Sequence, residues 1–183
     1  MDKHYWKNAY KEFWNTASNK ETYVKKLIES HTGYNCIEVG FGAGSTEFLN
    51  GNARDNNHSK GDADLYIVDK DCFVEVTGPN IRMDKEKPLW IRPDKLRNAY
   101  RKLQSGRGRL HVIVHVLSTN GDNKPFIRVV VLDNLFFSHI IDKKSFRKIN
   151  PVIRGLKETY YELPPKHETI ISLEQFIERL QLL

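Results

Sequence analysis

The amino-acid sequence predicts an α/β fold in which a mixed β-sheet is flanked by helices. Two features carry that prediction. Five short runs rich in β-branched and aromatic residues, at 35–41, 63–68, 72–77, 111–117 and 126–132, read as strands. Segments with apolar residues at helical spacing precede, divide and follow them. The expected order from residue 20 is helix, three strands, helix, two strands, helix. At 183 residues the chain is expected to form one domain. Residues 1–19 make a helical N-terminal extension of it, and 133–183 a helical and extended C-terminal elaboration.

Each element has a local reason. Tyr5, Trp6, Tyr10, Phe13 and Trp14 recur close to helical spacing, which predicts a helix over 2–17. In KETYVKKLIESH, Tyr23, Val24, Leu27 and Ile28 share one helix face, and Gly33 ends it. NCIEVGF reads as a buried, central strand interrupted by Glu38. A loop rich in Gly, Asn and Ser then runs from Gly42 to about Gly61, a length expected of a functional or disordered segment. ADLYIV and CFVEVT form a hairpin about Asp69-Lys70. LWIR follows, and Pro93 suits the first turn of a helix from Asp94 to about Gln104, closed by SGRGR. HVIVHVL and FIRVVVL are strands separated by the turn-like TNGDNKP. The tail offers a short helix near 143–148, an extended YYELP, and a final amphipathic helix N-capped by Ser172.

Composition narrows the class. Lys and Arg number 29 against 23 Asp and Glu, a net charge of +6 that suits a polyanionic partner without requiring one. Cys36 and Cys72 each sit in an apolar run and read as buried, reduced thiols. The polar, aromatic start lacks the apolar stretch of a signal peptide, and no apolar run is long enough to span a bilayer. A soluble, intracellular, cytoplasmic protein is therefore expected, with no membrane partner.

The chemistry concentrates in GDADLYIVDKDCFVEVTG, residues 61–78. With the hairpin turn at Asp69-Lys70, Ile67 faces Cys72, Leu65 faces Val74, and Asp64 faces Glu75. Directly opposed residues point to the same face with Cβ atoms roughly 4.5–5.5 Å apart. Two carboxylates so placed repel unless a cation lies between them, and oxygen ligands suit a hard ion, Mg²⁺ or Mn²⁺. Thr77 shares the face of Glu75, and the Val76 carbonyl between them is a further oxygen ligand for the metal. Against this stands the plainer possibility that each acid simply meets solvent.

The element order, with an Asp opening the second strand and Glu-x-x ending the third, resembles the PD-(D/E)xK, or restriction-endonuclease-like, nuclease superfamily. The match reads Ala63-Asp64, ten intervening residues, then Glu75-Val76-Thr77, and it covers about residues 20–132. The resemblance implies Asp64 and Glu75 as metal ligands, Mg²⁺ or Mn²⁺ as cofactor, phosphodiester hydrolysis, DNA as partner, and a homodimer. It also implies a Lys two residues after the Glu, where this chain has Thr77. A replacement cation would come from Lys95 in the following helix, or from Arg92 holding phosphate. The family's third acid would be Glu38, with Glu29 as competitor.

Two other readings stay open. The same fold with a decayed site would bind nucleic acid without cutting it. Alternatively, Glu38-x-Gly40-x-Gly42-x-Gly44 resembles the first motif of Rossmann-type methyltransferases that hold S-adenosylmethionine, a weak signal unless a helix follows. Arg97 and Arg101, i,i+4 on one helix face, and Arg107 and Arg109 in a glycine-interrupted turn are candidate phosphate contacts. A second basic cluster comprises Lys143, Lys144, Arg147 and Lys148. His111 and His115 read as packed residues, and Tyr160 and Tyr161 as sheet packing.

Overall fold

In a computed structural model, which describes residues 19–39, 63–120, 124–153 and 155–183, strand alternation feeds two separate cores. The helix 19–32 (α1) leads to β1 (Cys36–Glu38), followed by β2 (Leu65–Ile67) and β3 (Cys72–Thr77). The turn between β2 and β3 is a 3-10 helix, Val68–Lys70, whose four-residue connection keeps the predicted register: Ile67 opposes Cys72 and Leu65 opposes Val74. Next come β4 (Leu89–Ile91), α2 (Pro93–Gln104), β5 (Leu110–Leu117) and β6 (Phe126–Val131). The chain ends with α3 (Asn134–Ile141), β7 (Arg147–Ile149), β8 (Val152–Ile153), β9 (Leu156–Lys157), β10 (Tyr160–Leu163), β11 (Ile170–Ile171) and α4 (Leu173–Leu182).

The main sheet has the order β1-β2-β3-β5-β6-β11, and every neighbouring pair is antiparallel except β3–β5. That parallel pair needs a crossover, which β4 and α2 provide. Leu65, Ile67, Val74, Val112, Val114 and Val129 point to one face, where Val24 and Ile28 of α1 and Phe176 and Leu180 of α4 cover them. Ile113 and Val130 point to the other, against Leu96 of α2 and Phe136 and Phe137 of α3. Covered on both sides, β5 is buried at every position. Each fully buried aliphatic side chain contributes about 1.5–3 kcal/mol, so both layers are needed to hold the sheet.

Local signals set the helix ends. Gly33, at φ 73°, donates its N–H to the Glu29 carbonyl and closes α1. Pro93 occupies the first turn of α2. At α4 a capping box joins Ser172 and Gln175.

Some expectations are corrected. Of the strand expected over 35–41, the described part, β1, lies at the sheet edge, paired among the described residues only with β2; Cys36 is buried, but Ile37 and Glu38 are exposed. LWIR forms β4 of a separate sheet, β4-β10-β7. The helix placed near 143–148 lies earlier, because Asp133 caps Asn134–Ile141 by accepting the Phe136 N–H at 3.0 Å. Its apolar residues run almost all round, which hid the helical period, whereas Lys144 at φ 47° and β7 occupy the predicted span. Finally, the strand before the glycine motif, β1, pairs antiparallel with the next described strand, β2, rather than parallel as in a Rossmann-type unit. The 2–17 helix and the glycine-rich loop with Gly40, Gly42 and Gly44 fall outside them. No described helix is long and apolar enough to cross a membrane.

Gly78, directly after β3, lies so close to β5 that a Cβ there would overlap the Val116 carbonyl oxygen. Gly78→Ala is expected to lower stability by more than about 1 kcal/mol, since backbone rather than a flexible side chain must yield. Urea unfolding of the two proteins measures the shift in midpoint.

Candidate active site

The β2–β3 ladder ends at Leu65–Val74; just beyond it Asp64, one residue before β2, and Glu75 of β3 are neighbours, and Glu75 faces Lys95 of α2. Asp64 is 7 % exposed. Its Oδ2 accepts the Val76 N–H at 2.7 Å, and its side chain also hydrogen-bonds the Glu75 carboxyl. The backbone N–H of Asp64 reaches the Val74 carbonyl at 3.1 Å, while its carbonyl accepts from Val39 at 3.0 Å. Asp64 is thus fixed by main-chain contacts on both sides.

Helix α2 supplies the cation. Leu96 anchors it in the core, and Lys95, one residue earlier, extends to the sheet. Its Nζ lies 2.7 Å from Glu75 Oε1 and 2.8 Å from Oε2. Three ionisable groups therefore share one partly buried site.

Their charges are strongly perturbed. Burial pushes Glu75 well above the usual carboxylate range, and the neighbouring Asp64 adds to it, although Lys95 opposes both. Burial raises Asp64 too, against the pull of Lys95 and the Val76 N–H. For Lys95, burial favours the neutral amine, but the Glu75 and Asp64 carboxylates together outweigh it and raise its pKa. Two carboxyls facing one ammonium leave surplus negative charge, which a proton or a metal cation can neutralise.

A third acid comes from an unexpected place. Glu21 of α1 is 5 % exposed, and its charge adds to the upward shift of Glu75. Its signal was present in the sequence: Glu21, Val24 and Ile28 follow i, i+3, i+7 spacing, so this Glu lies on the buried stripe of α1. Beside it, the Lys20 Nζ donates to the Gly78 and Pro79 carbonyls at 2.8 and 3.0 Å and to Asn80 Oδ1 at 2.8 Å. These bonds tie the start of α1 to the end of β3.

The other nominated residues divide. Glu38 is exposed and opposes Leu65, which points to the α1 side of the sheet, so it does not join Asp64 and Glu75. Glu29 lies at the far end of α1, where its charge acts on Cys36. Thr77 shares the face of Glu75 and stands abreast of His115 on β5. Arg92 is held by Asp94 through two hydrogen bonds, 3.1 and 2.9 Å, and not by the acids. Arg92, Arg97, Asn98 and Arg101 line an open groove of about 650 Å³ that Glu158 and Thr159 close.

Asn98 also lines a small cavity of about 20 Å³, room for one water, beside Glu75, Lys95, Phe73 and Lys102. The basic groove therefore borders the acidic site through one residue. Arg107 and Arg109 are exposed; the Arg107 carbonyl bonds His111 Nε2 at 2.8 Å, and Arg109 reaches the Leu183 carbonyl at 3.5 Å.

His111 and His115 are packed as expected, and burial, then Arg128 and Lys20, push His115 down to about 3. Both cysteines are free and buried, with Cys36 pushed up to about 11 chiefly by burial.

Compared with protein-family models, curated proteins and solved structures, the chain matches none.

The electrostatics predict a pH signature. A raised carboxyl pKa means that the folded state binds more protons than the unfolded one. Metal-free stability should then fall as pH rises from the ordinary carboxylate range, about 4.3, to the folded pKa of the acid pair. The slope should approach about 1.4 kcal/mol per pH unit for each proton involved. Glu75→Gln is expected to flatten it, as read from urea midpoints across pH. Lys95→Met removes the ammonium paired with Glu75 and should cost about 3 kcal/mol at pH 8. The cost should shrink near pH 5, where the acids take up protons instead.

Proposed function

We propose that this chain is a metal-dependent nuclease of the restriction-endonuclease-like type, hydrolysing phosphodiester bonds in DNA. The observation that carries the proposal is the neighbouring Asp64 and Glu75 carboxyls with the Lys95 ammonium 2.7 and 2.8 Å from Glu75. A resting sheet has no structural need for two neighbouring buried carboxyls, and burial makes their joint ionisation costly without an added cation.

The donor set fits Mg²⁺ or Mn²⁺. Asp64 and Glu75 would hold the ion with the Val76 carbonyl, and Glu21 adds negative charge beside them. An extended residue turns its N–H and C=O to the same side, so Val76, whose N–H meets Asp64, offers its carbonyl there as well. When bound, the ion supplies Lewis-acid stabilisation of the phosphate and lowers the pKa of a water ligand.

The chain's own residues do the rest. Lys95 takes the role that Thr77 cannot: its ammonium is placed by α2 on the Glu75 carboxylate and would orient the attacking water or the scissile phosphate. Glu75 keeps that ammonium charged. Phe73 and His111, ring-stacked at 5.2 Å, and Ala63 wall the adjoining cavity and exclude bulk water. Arg97 and Arg101 in the bordering groove would track the phosphate backbone.

Incubating the purified protein with plasmid, single-stranded DNA and RNA in Mg²⁺ or Mn²⁺ tests the assignment. Cleavage of DNA is expected, with rates at least about 100-fold lower in Asp64→Asn, Glu75→Gln and Lys95→Ala, the scale of a lost electrostatic contact in a transition state. Cleavage unaffected by Asp64→Asn and Glu75→Gln would sink it. Arg97→Ala and Arg101→Ala should each weaken DNA binding uniformly across sequences and reduce the salt slope by about 1. Salt-dependent DNA binding without Mn²⁺ uptake or cleavage would favour the second reading, a non-catalytic DNA-binding module, which Thr77 motivates.

A further inference from the structure

A second cluster of ligating side chains lies outside the acidic site and takes no part in the proposed reaction. His139, in the last turn of α3, is buried, and its Nε2 lies 2.8 Å from Glu168 Oε1. His167 stands edge-on to His139 with ring centroids 4.7 Å apart. One ligand atom from each of these three residues falls within 4.8 Å of the others.

The surroundings orient them. His139 Nδ1 faces Ser145 Oγ at 3.4 Å, and His167 Nδ1 faces Thr169 Oγ1 at 2.9 Å. His139 Nδ1, turned to a hydroxyl, leaves Nε2 for the cluster. His167 Nδ1 also accepts the Thr169 N–H at 3.3 Å, so a metal on its Nε2 requires the ring proton to move to Nδ1 and be given to Thr169 Oγ1, the outer hydrogen bond that metal-bound imidazoles use. Phe146 packs on both rings, at 6.0 and 4.9 Å, and limits their rotation. The backbone holds the far side, since His167 N–H donates to the Pro164 carbonyl at 3.2 Å and Ile170 N–H to the His167 carbonyl at 2.8 Å.

We propose that His139, His167 and Glu168 form a site for a borderline transition-metal ion, Zn²⁺ in the first place. Two imidazoles and one carboxylate are the ligand types Zn²⁺ takes at three positions, with water completing a tetrahedron. Magnesium is disfavoured, because nitrogen ligands suit it poorly. Neutral imidazoles and one carboxylate leave the bound ion one net positive charge. Lys143, whose charge also acts on His167, opposes the ion and tempers its affinity. Bound metal would join the end of α3 to the turn leading into β11. It would therefore clip the C-terminal segment to the core, a task distinct from that of Asp64 and Glu75.

The test uses the full chain, stripped with chelator and titrated with Zn²⁺ and, for its visible absorption, Co²⁺. One equivalent of Zn²⁺ is expected, with Co²⁺ bands of low-coordinate geometry and a rise of several degrees in Tm. His167→Ala and Glu168→Gln should each lower the affinity at least tenfold. Glu168 is 59 % exposed, so its variant carries little risk to folding. Asp64→Asn and Glu75→Gln should leave Zn²⁺ uptake unchanged, which separates this site from the acidic one whatever the nuclease assays give. Absence of stoichiometric uptake, or uptake that persists unchanged in either cluster variant, overturns the proposal.

Discussion

The contact on which the site depends is the ammonium of Lys95 set against the carboxylate of Glu75, beside Asp64. Buried charge is tolerated only when it is paired and hydrogen-bonded. Asp64 meets the condition through the Val76 N–H, and Glu75 through Lys95. Much else in the core serves that meeting. The β2–β3 pairing must hold for the acids to be neighbours, and the parallel β3–β5 pairing forces the crossover that carries α2 across the face of Glu75. Leu96, buried in the core, sets the rotation of α2 and so the direction of Lys95.

Two cores give the site its asymmetry. The face of Val74, Val112 and Val129 is sealed by α1 and α4 and is almost wholly apolar. The opposite face changes character along its length, from aromatic packing around Phe136 and Phe137 to the small cavity where Glu75 and Lys95 lie among apolar walls. At that cavity the helix changes too, from Leu96 below to Lys95, Asn98 and Lys102 around it. The exposed side of α2 then presents Arg97 and Arg101 to a wide groove. One helix therefore carries the core contact, the buried cation and the basic surface. A cation delivered from a helix meets Glu75 from outside the strand, 20 residues along the chain.

Much of the fold was legible because its strands are short, apolar and well separated, and because α1, α2 and α4 carry explicit start or stop residues. The errors share a physical origin. Helix α3 is apolar nearly all round, so periodicity could not reveal it, and only the Asp133 cap marks its start. The apolar residues of NCIEVGF read as a central strand, yet apolar composition says nothing about which strand lies at an edge. Glu21 was overlooked although its spacing to Val24 and Ile28 put it on the buried stripe; an acid inside such a stripe is the sign that was available.

What the sequence determined by itself is local: the hairpin, hence the register, hence the meeting of Asp64 with Glu75. Turn length and the two-residue period of a strand suffice for that. Tertiary structure alone decided the rest. Lys95 is 20 residues from Glu75 in the chain and reaches it only because α2 packs on that sheet face. His139 and Glu168 are 29 residues apart and meet only because β11 pairs with β6 next to α3. Spacing in a sequence specifies neighbours within one element or across one tight turn. Contacts between elements depend on how apolar faces pack, and that is a property of the whole chain.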